Sequence, residues 1–544
     1  ACPAGEAAAE LDNDAFRDRV VAFVRDVAAG DPDAPCPAPL IAAEPLQVAV
    51  SLYDWGEVIG RGLAADVTLC GALRAATEQA VATSDRAASG LVSARFVVEL
   101  LDRDYALAEH EGAGVEVIGG LVPTRVLDRE GLRRRIDEGQ AYLLRVMDPA
   151  LGGVHKHYDA PTDGFEPRLH TIYTASTIYT LLALYARDRD EGLRAPIERA
   201  AGFLRSMQRV APGQPGHGAF HYSLDLRGGE REPRFVVGTT SKTIFSLIEL
   251  HAFTGDAGHL DAARLAADWL LSMQGADGRV SSELELEVDG TWRVTERESV
   301  LYTGQVLSAL SRLYEATGDA RYLDGAARTA GRLVAKVERE GCYLGDDYRE
   351  PNPISSSWAI LSLFEFARAS DDAALREVAL GCAGELLERQ IDDPDDVYDH
   401  GRWRASLSSS GNGWLAEVLA VLDRECPAGA RERCDRYRGA AVRLFRLLSQ
   451  YTYSPENAFV ARDPEKARGG VFWNTSERYV RTDSVCHAMN AYVFMIDRLP
   501  DGVLVEVPEP PLAERLAGLS YRPGEREGFG GASEEDEARV HHVE

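Results

Sequence analysis

The sequence predicts a mainly α chain, an (α/α)6 toroid preceded by a small α+β domain. Three observations carry this reading. Helical patterns recur in pairs from Arg129 to about residue 498, a short turn motif repeats between pair members, and strand-like runs are confined to residues 46–128. A sequence repeat sets the architecture of the chain that bears it. Thr254-Gly255-Asp256 leads into His259-Leu260-Asp261-Ala262-Ala263, and 63 residues on Thr317-Gly318-Asp319 leads into Arg321-Tyr322-Leu323-Asp324. Ser370-Asp371-Asp372 before Leu375 is a looser copy. The motif has a mechanism, because Gly ends one helix in a left-handed turn and Asp caps the next.

Each element follows in order. Residues 9–29 read as an amphipathic helix, and the Pro/Ala-rich residues 30–45 as a linker, so 1–45 form an N-terminal helix and tether. Gln47–Tyr53 and Val58–Leu63 are strand-like runs around Asp54-Trp55-Gly56, a hairpin signal. Helix-like Leu69–Ala82 follows, then strand-like Ala94–Leu101 and Val115–Leu127, which makes 46–128 the small α+β domain. First-type helices begin near residues 169, 239, 299, 354, 410 and 483, and second-type helices near 193, 259, 321, 373 and 431. The sixth second-type partner is residues 129–147, so the two ends of the repeat pair and the ring of 129–498 closes. First-type helices are small and apolar all round, as inner helices should be, whereas second-type helices carry more Arg and Glu. Residues 499–544 are a C-terminal extension with an acidic, Gly-rich tail that reads as disordered.

The formal charge of −28 repels nucleic acid and anionic membrane surfaces, which excludes both as partners. Only Lys156, Lys242, Lys336 and Lys466 supply lysine among 59 basic residues, the pattern of a GC-rich genome or a salt-adapted surface. The chain has eight cysteines but no CxxC and no Cys/His spacing of a zinc site, so neither metal nor cofactor is expected. Cys426 and Cys434 flank a short turn where a disulfide fits, with two unpaired thiols as the alternative. The start at Ala1-Cys2 reads as a processed end, and the expectation is an extracytoplasmic protein, secreted, periplasmic or at the cell surface. No run of 18 apolar residues offers a membrane span.

The chemistry is sought in the six loops that lead into the inner helices, which line one mouth of such a barrel. They are rich in His, Arg, Asp, Tyr and Trp. The first, 152–170, carries His155, His157, Tyr158, Asp159 and Arg168; the second, His221 and Arg234; the third, Trp292 and Tyr302. The fourth carries Tyr348, the fifth Trp403, Arg404 and Trp414, and the sixth Trp473, Arg481, Asp483 and His487. Aromatic rings stack on sugar faces, Arg pairs with carboxylates, and Asp, Glu and His move protons. Asp159 and Asp483 are the candidate acid/base carboxylates and His157 and His487 the proton-transfer histidines. The remaining residues named are candidate ligands of a glycan, with Arg168 and Arg481 placed for an anionic group. Asp483 and His487 lie four apart on one helix face, the spacing at which a carboxylate orients a histidine. A helix-capping Asp483 beside a buried His487 is the alternative. Glu296 with Glu298, and Asp346 with Asp347, are neighbouring carboxylates able to shift one another.

The TGD repeats, the GGVHKHYD loop and the closing GGVFWNTSERYVRTDSVCH segment resemble the six-hairpin toroid enzymes of carbohydrate metabolism. These include unsaturated-uronide hydrolases, sugar 2-epimerases, glucuronyl C5-epimerases and toroid lyases. The resemblance spans about residues 129–498 and implies an enzyme acting on a poly- or oligosaccharide, uronic acids among its candidate units, by hydrolysis, elimination or epimerisation. It carries over no catalytic residue, because no family motif maps onto the chain. The alternative is a non-catalytic glycan-binding or assembly protein on the same scaffold. The segment SLYDWGEVIGRGLAADVTL looks faintly like the AMMECR-type α+β module, without that family's Arg-Gly-Cys-Ile-Gly signature.

Overall fold

A computed structural model describes residues 14–39, 41–54, 57–84, 95–101, 117–118 and 124–507, apart from 161, 395, 397–398, 427–429, 455–457, 459–460 and 475–476. The acidic tail, Cys2 and the Trp55-Gly56 turn lie outside the described residues.

Six inner helices form a closed ring: Thr171–Asp188, Val237–Thr254, Val300–Thr317, Pro353–Ala369, Ser409–Arg424 and Thr482–Met495. Each packs on the next and the sixth packs back on the first. The outer layer is Arg194–Ser206, Ala257–Ser272, Ala320–Glu340, Ala373–Leu387 and Arg431–Gln450, with Arg129–Val146 covering the sixth inner helix. The repeated turn works as its chemistry requires. Gly255 and Gly318 close their helices at φ 73° and 70°, and the Asp256, Asp319 and Asp372 carboxylates accept from the first-turn amides of Gly258, Arg321 and Leu375. Glycines set how closely inner helices approach. A Cβ on Gly304 would stand 2.9 Å from the Trp358 carbonyl, and one on Gly413 would stand 3.1 Å from the His487 Cβ.

The N-terminal region has its own apolar core, separate from that of the toroid. Ile41–Asp54 pairs antiparallel with both Glu57–Thr68 and Arg95–Leu101, Val117–Ile118 adds an edge, and helix Leu69–Thr83 packs across the sheet. The strand starts inside the stretch expected to be a linker. Ile41 already pairs with Thr68 on one side, with a register shift before Leu46, and from Gln47 to Tyr53 the strand has partners on both sides. Disulfides join Cys36 to Cys70, Cys342 to Cys382 and Cys426 to Cys434, and only the last was legible from spacing. No helix among the described residues is long and apolar enough to cross a membrane.

Candidate functional site

The six loops enter at one end of the ring, and the first and last are zipped together there. His157–Asp159 pairs antiparallel with Val480–Arg481, Arg481 standing opposite His157. This brings residues from the two ends of the toroid to one place at the head of the last inner helix.

Arg481 donates to Asp483 twice, Nε to Oδ1 at 2.8 Å and Nη2 to Oδ2 at 2.7 Å, and the Ser410 hydroxyl adds a third bond to Oδ2 at 3.0 Å. Burial pushes the Asp483 carboxyl up, but the Arg481 charge and hydrogen bonds outweigh it and hold it far below the usual carboxylate range. The expected pairing of Asp483 with His487 is replaced by another. His487 Nδ1 lies 2.6 Å from Glu417 Oε2, and Asn490 Nδ2 donates to the other oxygen at 3.1 Å. Glu417 sits one turn below Gly413 on the fifth inner helix. The missing Cβ there lets the fifth and sixth helices approach until carboxylate and imidazole meet.

Trp414 is 4% exposed, stacks on Trp358 at 3.8 Å and meets the His487 ring in a T-shaped contact at 5.2 Å. The Lys242 ammonium stands 5.9 Å from the Trp358 centroid. Trp473 stacks on Tyr479 at 5.8 Å with the Arg481 guanidinium over it, and Tyr479 meets His157 edge-on at 5.1 Å. Further along the third and fourth inner helices Arg312 binds Glu365 at 2.5 Å, and the guanidinium lies 4.3 Å from the Phe245 centroid. Asp483, His487, Arg481, Trp414, Trp473 and His157 therefore form one cluster. Glu417, Trp358 and Asn490 belong to it and were missed, although an acid inside the apolar run GWLAEVLAVL was a visible signal.

The other expected residues stand on the rim or inside the wall. His155 stacks on Phe165 with Nδ1 on the Glu166 carbonyl, and His221 repeats this against Phe235 and Glu232, each carbonyl eleven residues on. Both loops continue Glu-Pro-Arg, at 166–168 and 232–234, a second repeat that the sequence held openly. Arg168 bonds Ser223 and lies 3.5 Å from both Asp225 and Glu232, while Arg234 bonds Glu283 at 2.7 Å. Trp292 stacks on Phe235, Tyr302 is buried, and Tyr348 shares a hydrogen bond with Ser282 under the Arg297 guanidinium. Tyr158 is buried and donates to Asp163. Asp159 and Arg404 are exposed outside the cluster. Trp403 is 0% exposed, so its ring packs in the wall and presents no face to a ligand. The paired acids are loop braces. Asp346 and Asp347 accept from the amides of Val300 and Glu298, and Glu298 binds Arg332.

His157 and Glu166 make the mouth acid-sensitive. His157 Nε2 is buried without a hydrogen-bond partner, and burial lowers the imidazole from 6.5 to about 3, so the ring is neutral near neutral pH. Glu166 accepts from the amides of Lys156 and His157; burial raises its pKa, but His170, His157 and Lys156 outweigh this and hold it at about 2 instead of 4.5. Between pH 6.5 and about 3 the unfolded chain binds a proton on residue 157 that the fold refuses, and from 4.5 to about 2 the same holds for residue 166. Stability is thus present above these windows and lost as pH falls through them. Replacing His157 with Asn should flatten the fall measured by urea unfolding between pH 6.5 and 4, by up to about 1.4 kcal/mol per pH unit. An unchanged slope would remove His157 from this account.

Solved structures share the toroid. Cellobiose 2-epimerase from Bacillus thermoamylovorans B4167 matches at a TM-score of 0.53 and 13% identity, covering 68% of this chain and 99% of its own. A sugar epimerase from a ruminal bacterium matches at 0.52 and 11% identity, over 69% and 99%. An inactive α-1,6-mannanase variant of Salegentibacter sp. HEL1_6, in complex with α-1,6-mannotetrose, matches at 0.50 and 11% identity, over 67% and 98%. At these identities the likeness shows the fold alone. No family model matches the chain, and no curated protein matches it.

Proposed function

We propose that this chain is a glycan-processing enzyme that moves a proton at a sugar ring on the axis of the toroid. The observation that carries this is the His487–Glu417 contact at 2.6 Å, set beside the Trp358–Trp414 stack and the Arg481–Asp483 pair. Glu417 fixes Nδ1, so Nε2 is the nitrogen that exchanges protons with a substrate. The Arg481–Asp483 pair is a charged wall that orients hydroxyls, because the Asp483 carboxylate is already ionised and held by three bonds. His157, neutral and unpaired at Nε2, offers a hydrogen-bonding nitrogen from the opposite loop. Support from outside the chain comes from the epimerases and the mannanase that share the ring.

Proton transfer at a sugar serves hydrolysis, elimination and epimerisation alike. The test is a panel of oligosaccharides read three ways: new reducing ends, ultraviolet absorbance of unsaturated products, and proton NMR of the anomeric region for epimers. New reducing ends alone name a hydrolase, reducing ends together with absorbance name a lyase, and a changed proton spectrum with neither names an epimerase. Silence on all three, with a glycan still bound, would replace the enzyme with a glycan-binding protein. Three disulfides fit an oxidising compartment, and we propose an extracytoplasmic location on that ground.

A further inference from the structure

We infer that the site selects neutral saccharides and discriminates against uronic acids and other anionic sugars. The inference rests on the glycan reading above and concerns which glycans are taken. Recognising a sugar carboxylate calls for a guanidinium whose donors are free to form a paired contact. Arg168 and Arg481, the two expected to supply it, and Arg234, a further candidate ligand, are each committed to acids of the chain, while the exposed Arg404 stands outside the cluster. Arg481 spends Nε and Nη2 on Asp483, at 2.8 and 2.7 Å. Arg234 spends Nε on Glu283, and the side chain is only 17% exposed. Arg168 lies 3.5 Å from two carboxylates, Asp225 and Glu232, so its neighbourhood already carries excess negative charge.

The pairing follows the ring. The arginine of the first Glu-Pro-Arg faces acids of the second loop, and the arginine of the second faces an acid of the third. A sugar carboxylate brought to any of these guanidiniums would stand beside a protein carboxylate that the arginine already neutralises, so like-charge repulsion offsets the new ion pair. Glu417 adds a further carboxylate on the axis, matched by an imidazole and an amide. Lys242 is the opposing cation, and it stands over Trp358 while its charge acts on Asp483. Helix N-termini add partial positive charge at the mouth, but Ser299, Asn352 and Ser408 already accept from the first-turn amides of three of them. A neutral sugar meets none of these penalties, because its hydroxyls accept from the paired arginines and donate to the same acids.

The test uses the full chain and matched probes: neutral manno- and cello-oligosaccharides against glucuronate and mannuronate oligosaccharides of equal length. Affinities are measured by calorimetry at low and moderate salt. The expected result is about tenfold or tighter binding of a neutral member over its uronate counterpart, a gap that narrows with salt. Glu283→Gln, which releases Arg234, should narrow the neutral-to-uronate ratio severalfold. Glu232→Gln is the second variant and should move the ratio the same way through Arg168. Uronates bound as tightly as neutral sugars by the native chain would overturn the inference and leave the glycan reading standing. Failure of both series to bind would overturn the two together. A ratio indifferent to both substitutions, each shown folded by circular dichroism, would overturn the role given to the arginine–acid pairs.

Discussion

Replacing His487 with Asn is expected to lower kcat by about 10²–10⁴, the range lost with a positioned general acid or base, while the chain stays folded. The effect is large because the proposed role puts proton exchange on Nε2, the nitrogen that Glu417 does not hold. Nδ1 is held at 2.6 Å by Glu417, which Asn490 steadies in turn. Asn preserves polarity in a wall that is 7% exposed at this position, and denaturant unfolding of the variant separates a loss of rate from the loss of packing against Trp414. Glu417→Gln keeps the shape of the partner and removes its charge, and should cost less than the loss of the ring itself. Full activity in His487→Asn would move the proton-transfer role elsewhere, with His157 the next candidate.

The second large effect is on stability. Trp403 was expected to offer its ring to a glycan, yet it is 0% exposed, and its amide is pinned to Asn412 Oδ1 at 2.9 Å. Trp403→Ala should therefore cost about 3–5 kcal/mol of folding free energy, the toll of deleting a buried aromatic and leaving the space it filled. Glycan affinity of the fraction that remains folded should be unaffected. Denaturant unfolding and calorimetry on the same preparation separate the two roles. A variant of native stability with weakened binding would restore Trp403 to the ligand surface.

The inner helices were legible to within about two residues, because their boundaries are written in local chemistry. Gly255 with Asp256, and Gly318 with Asp319, mark a stop and a start that no tertiary contact needs to supply. The site was legible only in its location. His487 and Asp483 share a helix face, but which acid meets the histidine depends on how closely two helices pack, and Glu417 lies 70 residues away in sequence. The arginines misled for the same reason: Arg168 and Arg234 look available until the neighbouring hairpin brings its acids to them. Trp403 shows the limit of composition, since an aromatic in a polar loop serves a wall as readily as a ligand. The Glu-Pro-Arg repeat at 166–168 and 232–234 was in plain view, and it alone would have suggested a shared rim geometry.

Closure of the ring has a consequence for when the site comes into being. Helix Arg129–Val146 is translated before any inner helix, yet it covers the last of them, and the strand at His157 waits for the strand at Arg481. These contacts span more than three hundred residues, so they form late, after hairpins that fold from near neighbours. His487, Asp483 and Arg481 all arrive with that final segment. A nascent chain released short of it would hold five hairpins and an open seam, with Trp414 and Glu417 uncovered and no histidine to meet them. The same stretch of sequence thus completes the wall and the His487–Glu417 contact, so the cluster cannot assemble before the last segment is made.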